Sequence, residues 1–268
     1  MPCMGFQRCS SVQIEMKIML EKRPFVSIII ATYNAASLLP QTLTSLRSMA
    51  DFPFELLIAD GGSTDDTLAI IENNHDMIVW FNSEKDEGVY DAWNKALKQA
   101  KSPWIAFLGA GDAYLPGALE KYAGAAKLNP DADYICADQW QVLPDGQQLR
   151  RKGAPWVWSE FRNRMTITHV GNWHAKKAFD CYGEFDTSYK IAGDYEWLLR
   201  AREKLNTVYI AEPLVQMLVG GISDLNWNVV RETIHAQKHT AKLPAILLCK
   251  NWIIAAMRKQ ISRWVYQR

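Results

Sequence analysis

The hydrophobic pattern of the first half of the chain alternates between short apolar runs and longer stretches with a helical period. Short runs rich in Ile, Leu, Val and aromatic side chains are typical of strands buried on both faces, and they occupy residues 25–31, 54–59, 77–81 and 104–108. Apolar residues recur on one helical face at residues 36–49, 63–71 and 89–100. Because strand and helix alternate with short connections, the sequence predicts an α/β fold with a mostly parallel central sheet flanked by helices.

The second half is less regular. We predict helices at 116–127 and 194–205, strands at 207–211 and 214–219, and a strand at 134–143 that turns back at 144–146. Residues 151–192 are rich in Trp, His, Gly and Arg without a clear period, and residues 228–266 are predicted to be helical and basic. The predicted division is a leader at 1–23, a domain at 24–222 with halves 24–112 and 113–222, and C-terminal helices at 223–268.

Composition excludes several classes of protein. The 268 residues are 49% hydrophobic and 22% charged with a formal net charge of +1, which argues against disorder and against a dedicated nucleic-acid binder. No apolar run approaches the roughly 18 residues of a membrane-spanning helix, and residues 1–24 contain no continuous apolar segment. The five cysteines include no CxxC pair, so a disulfide framework and a four-cysteine zinc site are excluded. We therefore expect a cytoplasmic protein with reduced thiols.

Polar and glycine residues follow each of the four predicted strands of the first half. These segments are residues 32–34, 60–66, 84–94 and 109–112. Ligands bind at the carboxyl ends of the strands in open parallel sheets, so these segments are the candidate site.

Two aspartates in these segments are suited to a nucleotide. Asp60 ends a buried strand, where its carboxylate can accept hydrogen bonds from a nucleobase or a ribose, and the glycines that follow allow a close approach. Ser63 is suited to cap the next helix. An ordinary strand–helix turn that binds no ligand would explain this serine equally well. Asp112 follows an apolar strand and small residues, where a carboxylate suits a divalent cation that bridges phosphate oxygens.

Together these motifs resemble family 2 glycosyltransferases. The resemblance rests on Ala-Thr-Tyr-Asn at 31–34, Asp-Gly-Gly-Ser-Thr-Asp-Asp-Thr at 60–67, Ser-Glu-Lys-Asp-Glu-Gly-Val-Tyr-Asp-Ala-Trp-Asn at 83–94 and Gly-Asp at 111–112. It continues through His169, residues 183–186 and residues 191–196, and the block at 83–94 resembles the colanic-acid-type branch.

The resemblance implies a GT-A fold and an inverting transfer of sugar from a nucleotide-diphosphate sugar. The implied acceptor is a saccharide or a lipid-linked saccharide in cell-surface polysaccharide synthesis. It also implies a general base at Asp194 and a Mg²⁺ or Mn²⁺ ion at Asp112, with His169 and Trp173 on the acceptor side. The implied nucleotide-binding residues are Thr32, Tyr33, Asn34, Asp60, Gly61, Ser63, Gly88, Asp91 and Asn94.

The chain departs from the family pattern at four positions. Gly109 and Gly111 stand where many members carry acids before the last aspartate of the metal motif, so metal binding would rest on Asp112 and phosphate oxygens. Gly193 replaces the acid before Asp194, and Val170 stands where relatives often have Gln.

These departures leave two other functions open. A non-catalytic nucleotide-sugar-binding relative would have lost its chemistry with those acids. A sugar-nucleotide pyrophosphorylase would need a Gly-rich basic loop near the first strand, and residues 31–40 contain no Gly, Lys or Arg.

Charge is uneven along the chain. Seven Lys and Arg residues and no acidic residue follow Glu232, and an apolar helical stripe runs through Ile246, Cys249, Ile253, Met257, Ile261 and Trp264. Two interpretations remain for this helix. It either packs on the domain or attaches the protein to the anionic inner face of the cytoplasmic membrane.

Overall fold

Four parallel strands, buried by helices on both faces, form the centre of the fold. The computed structural model describes residues 23–221 and 226–266. The four strands are β1 (Val26–Thr32), β2 (Phe54–Asp60), β3 (Ile78–Ser83) and β4 (Trp104–Gly109), and they lie in the order β3-β2-β1-β4. Their carboxyl ends therefore meet at one edge, as the alternating pattern predicts.

The alternation of side chains along β1 divides the core into two layers. Ile28 and Ile30 pack in one layer with α1 (Leu39–Arg47), and Ile29 packs in the other with α3 (Val89–Leu97). α2 (Thr67–Glu72) follows β2 and adds Ile71 to the first layer. A short 3₁₀ turn, His75–Met77, leads into β3.

The second half extends the same sheet. Its strands are β5 (Ala113–Tyr114), β6 (Tyr134–Val142), β7 (Gln148–Lys152), β8 (Trp173–Ala175) and β9 (Thr207–Leu218). β8 pairs antiparallel with both β4 and β6 and so joins the two halves, and β6 pairs parallel with β9. β6 and β7 form the predicted hairpin.

Helices cover this half as well. They are α4 (Ala118–Leu128), α5 (Trp158–Phe161), α6 (Lys176–Tyr182), α7 (Gly193–Ala201), which continues into a 3₁₀ turn at Arg202–Lys204, α8 (Asn228–His239) and α9 (Ala245–Tyr266). Thus residues 151–192, whose sequence has no clear hydrophobic period, contain short helices and a short strand.

One predicted boundary is wrong. The strands predicted at 207–211 and 214–219 are one strand, β9, and its register against β6 shifts at Asp138, opposite Pro213. Proline has no N–H to donate to the ladder, and the irregularity absorbs this without ending the strand. The helices predicted in the region 228–266 are α8 and α9, which are separated where Lys242 has a φ of +56° and Pro244 precedes α9.

Trp173, expected on the acceptor side, lies in the core instead. Its side chain is 0% exposed and packs among Phe25, Phe52, Trp104 and Tyr122, with ring centroids 5.2–6.3 Å from its own. The expectation fails because Trp173 opens β8, a strand in the middle of the sheet, and its side chain joins the layer covered by α1 and α4.

Two expectations concern the ends of the chain. Within the described residues, no helix has the length and apolarity needed to span a membrane. The predicted leader at 1–23 lies outside the described residues except for Arg23.

Trp173→Ala should lower the free energy of unfolding by about 3–5 kcal/mol, because it removes a large aromatic side chain from a packed core. Trp252→Ala is the matched control, since Trp252 is 52% exposed, and it should change the free energy by less than about 0.5 kcal/mol. Urea denaturation of both variants measures the difference. Equal, small effects would mean that Trp173 is not a core residue.

Candidate active site

The loop after β2 is organised by the carboxylate of Asp60. Its Oδ1 accepts hydrogen bonds from Thr32 Oγ1 (2.9 Å) and Ser63 Oγ (2.5 Å), and its Oδ2 accepts from Gly62 N (3.1 Å), Ser63 N (2.8 Å) and Ser83 Oγ (2.7 Å). Burial acts to raise the pKa of Asp60, but these hydrogen bonds outweigh it and hold the pKa below its usual value. Five donors occupy a carboxylate that is 3% exposed.

Asp60 therefore ties the ends of β1, β2 and β3 together. The side chains of Thr32 and Ser63 are buried, and both donate to Asp60. This structural role was not expected from the sequence, and a contact between Asp60 and a nucleobase stays a prediction.

Tyr33 and Asn34 border the crevice differently. The Tyr33 ring is 66% exposed and free to stack on a planar ligand. Asn34 has a φ of +47°, its N–H donates to Ser63 Oγ (2.8 Å), and its Oδ1 accepts from Thr64 N (2.8 Å). Asn34 thus fixes the loop, while Tyr33 presents a surface.

A further carboxylate, missed from the sequence, lies against Gly61. A Cβ built on Gly61 would be 2.7 Å from Asp86 Oδ2, so a side chain at 61 would displace this carboxylate. Asp86 Oδ1 accepts from Gly88 N at 2.9 Å. Asp86 belongs to the 83–94 block, and only its position in that block could have identified it.

The 83–94 block also forms the start of α3. Gly88, with a φ of +121°, precedes the helix, and Asp91 accepts from Glu87 N (3.1 Å) and pairs with Lys95 (3.1 Å). Burial acts to raise the pKa of Asp91, but its hydrogen bonds from Glu87 and Lys95 lower it below the usual value.

Asn94 does not present its amide to the crevice. It is 6% exposed, its Nδ2 donates to Phe185 O (2.8 Å), and its Oδ1 accepts from Phe185 N (3.0 Å). The expectation of a nucleotide contact is corrected, because Asn94 instead fixes the 183–186 segment against α3.

Tyr90 connects the nucleotide half to Asp194. Its hydroxyl lies 2.7 Å from Ile191 O and 3.2 Å from Asp194 Oδ1, to either of which it can donate. A Cβ on Gly193 would come within 2.8–2.9 Å of the Tyr90 ring. The missing acid at 193 therefore has a physical reason, since the Tyr90 ring occupies the space that a side chain would need.

Asp194 lies in the first turn of α7, where the helix dipole favours a negative charge. Its Oδ1 also accepts from Tyr195 N at 2.8 Å. The half-buried side chain borders a cavity of about 930 Å³. The carboxylate thus has a fixed position and an accessible surface.

Glu232 of α8 positions the segment before Asp194. Its carboxylate accepts hydrogen bonds from three consecutive backbone N–H groups, those of Lys190 (3.1 and 3.2 Å), Ile191 (2.8 Å) and Ala192 (2.9 Å). Sequence reasoning missed this role, because no local pattern connects residues 40 positions apart.

His169 lies on the wall of the same cavity. Its ring stacks on Trp93 and Phe107, with centroids 5.3 and 5.6 Å away, and burial lowers its pKa although Asp194 acts in the opposite direction. The neutral ring is 5% exposed, and its Nε2 has no hydrogen-bond partner among the described residues. This atom is buried beside the cavity and unpaired.

Asp112 does not form a metal site by itself. Its Oδ2 accepts from Gly109 N (3.1 Å), its Oδ1 accepts from Leu218 N (2.9 Å), and burial raises its pKa to about 7 against the effect of these two bonds. A Cβ on Gly109 would lie 2.6 Å from Asp112 Oδ2, and one on Gly111 would lie 2.9 Å from Leu218 Cδ2.

No cluster of three or more His, Cys, Asp or Glu side chains suited to a metal ion occurs among the described residues. The single, internally bonded carboxylate of Asp112 does not fit a cation held by the protein alone.

Comparison with known proteins identifies the fold and the family. Residues 27–185 match the family model Glycosyl transferase family 2. A glycosyltransferase of PGL/p-HBAD biosynthesis from Mycobacterium bovis BCG is 30% identical over 182 residues, which cover 66% of this chain and 69% of the relative. Chondroitin synthase of Escherichia coli is 27% identical over 202 residues, 69% of this chain and 27% of that protein.

Solved structures confirm the GT-A fold. S. aureus TarS 1–349 in complex with UDP-GlcNAc aligns with a TM-score of 0.64 at 18% identity, covering 85% of this chain and 70% of TarS. The mannosyltransferase PcManGT from Pyrobaculum calidifontis, in complex with GDP-Man and Mn²⁺, aligns with a TM-score of 0.60 at 17% identity, covering 82% and 64%. The colanic-acid-type branch stays a prediction.

Asp60→Ala should lower the free energy of unfolding by about 1–3 kcal/mol, because it leaves buried donors on three strand ends without an acceptor. Asp66→Ala, an exposed acid of the same loop, is the control and should be nearly neutral. Urea denaturation with calorimetric titration of UDP measures both stability and binding. Weaker UDP binding without any loss of stability would contradict the structural role.

Glu232→Gln should slow donor turnover by about 10- to 100-fold, because the segment that carries Asp194 loses a charged acceptor of three N–H groups. The affinity for UDP should not change, since Glu232 does not lie at the nucleotide loops. The exposed acid Glu203 provides the control variant Glu203→Gln. Turnover of Glu232→Gln at the parent rate would show that the segment needs no such support.

Proposed function

Since the chain belongs to glycosyltransferase family 2, we propose that it moves a sugar from a nucleotide-diphosphate sugar to a hydroxyl of a saccharide or lipid-linked saccharide, with inversion of the anomeric centre. The proposed setting is cell-surface polysaccharide synthesis. The observation that supports this most strongly is the position of Asp194, which borders the cavity and is joined through Tyr90 to the nucleotide half.

The donor is proposed to bind at the carboxyl ends of β1 to β4. The exposed Tyr33 ring offers a stacking surface, and Gly88 lets the backbone approach the nucleotide closely. TarS binds UDP-GlcNAc and PcManGT binds GDP-Man in their complexes, which supports a nucleotide-sugar donor. The base and the sugar are left open.

Asp194 is proposed as the general base. Its Oδ1 accepts from Tyr90 and Tyr195, whereas no described group donates to Oδ2. Oδ2 takes the proton of the acceptor hydroxyl while the hydroxyl oxygen bonds to the anomeric carbon. The bond from that carbon to the diphosphate oxygen breaks, and the nucleoside diphosphate leaves with the electron pair from the opposite face.

A divalent cation would neutralise the departing diphosphate when bound. Since Asp112 is one internally bonded carboxylate, we propose that any Mg²⁺ or Mn²⁺ enters with the diphosphate and that the free protein does not retain it. The steps above require only side chains of the chain itself.

The C-terminal helices are proposed to attach the protein to an anionic membrane surface. On α9 the predicted stripe faces away from the domain, with Ile246 78%, Ile253 50% and Met257 61% exposed. Packing on the domain, the other interpretation, does not bury these three side chains. The side chains of Ile261 and Trp264 lie outside the described part.

Asp194→Asn should reduce sugar turnover by about 10²- to 10⁴-fold, because an amide cannot take the proton. It can still accept from Tyr90 and Tyr195, so UDP affinity should stay at the parent value. Release of UDP or GDP from UDP-GlcNAc and GDP-mannose measures turnover. A near-parent rate would indicate that another carboxylate, Asp186 or Glu184, is the general base. A parent protein that turns over no donor would favour the non-catalytic alternative.

Ile246→Glu/Ile253→Glu should abolish flotation with phosphatidylglycerol vesicles, because it places two charges on the stripe. Leu128→Glu is the matched control, since Leu128 is 83% exposed on α4. The parent should float with these vesicles at low salt and release at high salt. Equal flotation with phosphatidylcholine vesicles would contradict attachment by charge.

A further inference from the structure

The cavity beside Asp194 continues to the C-terminal helix. β6, β7, the 163–170 segment, α7, α8 and α9 all contribute to its wall. Its volume of about 930 Å³ is that of a pocket for a whole ligand, not of a packing defect. Asp194 and His169 border it, and so do Lys250 and Arg258 of α9.

Positive charge dominates the wall of this cavity. Its acidic side chains are those of Glu160 and Asp194, and its basic side chains are those of Arg151, Lys152, Arg164, Lys250 and Arg258. Arg151 is paired with Asp138. Arg164, Lys250 and Arg258 are exposed, and their side chains make no hydrogen bond or ion pair among the described residues. Three cations on one cavity that form no ion pair, against two acidic side chains, favour an anionic ligand.

Three buried polar atoms of residues on the wall also lack partners. His169 Nε2, Gln139 Oε1 and Thr166 Oγ1 have no hydrogen bond among the described residues, and the side chains of His169 and Gln139 are 5% and 3% exposed. A buried polar group without a partner is costly, so a ligand hydroxyl that reached these atoms would be stabilised by them. An acceptor atom and a ring nitrogen suit the hydroxyls of a sugar.

α9 places the cations beside its apolar stripe. Lys250, Ile254 and Arg258 are four residues apart and line the cavity on one helical face. Ile246, Ile253 and Met257 lie on the neighbouring exposed face. A ligand that extends out of the cavity past Lys250 and Arg258 would therefore contact the exposed apolar face of α9, which is suited to a lipid chain.

We propose that Arg164, Lys250 and Arg258 bind the phosphate group that joins the acceptor saccharide to its lipid. The acceptor sugar would lie at Asp194 and His169, the phosphate at the three cations, and the lipid along the stripe of α9. This inference rests on the proposed function, because it takes the cavity as the acceptor site.

Farnesyl diphosphate, a short prenyl diphosphate, tests the site by calorimetric titration in saturating UDP, which keeps the donor site filled. The exposed pair Lys250→Gln/Arg258→Gln should weaken its binding by about tenfold or more, as expected for lost charged hydrogen bonds. Lys204→Gln/Lys238→Gln removes two exposed charges outside the cavity and should bind like the parent. UDP affinity should be the same in all three proteins.

Farnesol and inorganic pyrophosphate distinguish binding through the lipid chain from binding through the phosphate groups. Farnesol should bind more weakly than farnesyl diphosphate and should not respond to the substitutions. Pyrophosphate binding as tight as that of farnesyl diphosphate would overturn the lipid-linked assignment. Farnesyl diphosphate binding that is absent, or unchanged in Lys250→Gln/Arg258→Gln, would overturn the site while UDP binding is intact. A parent that binds neither UDP nor GDP would instead count against the proposed function.

Discussion

The contact between Tyr90 and the Gly193-Asp194 pair is the constraint on which the site depends. Tyr90 belongs to α3, in the nucleotide half, and its ring lies so close to Gly193 that a side chain at 193 would not fit. Its hydroxyl lies within reach of Ile191 O and Asp194 Oδ1. Because this tyrosine is 3% exposed and packs in the core, the carboxylate of Asp194 is fixed relative to the nucleotide loops.

The C-terminal helices support the same carboxylate from the other side. Glu232 accepts hydrogen bonds from three N–H groups of the segment before Asp194. Gln237 of α8 donates to Asn163 O and Tyr195 Oη. A division of the chain at 222/223, made on composition, would separate Asp194 from these contacts. The division stays a prediction, and the contacts indicate that α8 belongs functionally to the preceding domain.

The first half of the fold was predictable because its signals are local. β1 to β4 are short apolar runs, and the residues after them identify both the crevice and the family. β8 has three residues, too few for a periodic pattern, and it forms through pairing with β4 and β6. For this reason Trp173, which opens β8, was expected at the site although it lies in the core.

The candidate site was predictable only in part for a similar reason. Motifs identified Asp60, His169 and Asp194, but a motif does not show which hydrogen bonds a side chain already makes. Asn94 and Asp60 are bonded within the protein, whereas Asp86 and Glu232 reach the site through contacts between distant segments. Those contacts depend on the packed fold, which no local pattern in the sequence encodes.

A crystal structure with UDP bound would show whether Tyr90 joins the nucleotide site to the general base, Asp194. We expect UDP at the carboxyl ends of β1 and β2, with the uracil near Tyr33 and the β-phosphate directed towards Asp194. Its position should leave the cavity beside His169 open for an acceptor. UDP bound inside that cavity, against Lys250 and Arg258, would contradict the account, because the acceptor and the donor would then compete for one place.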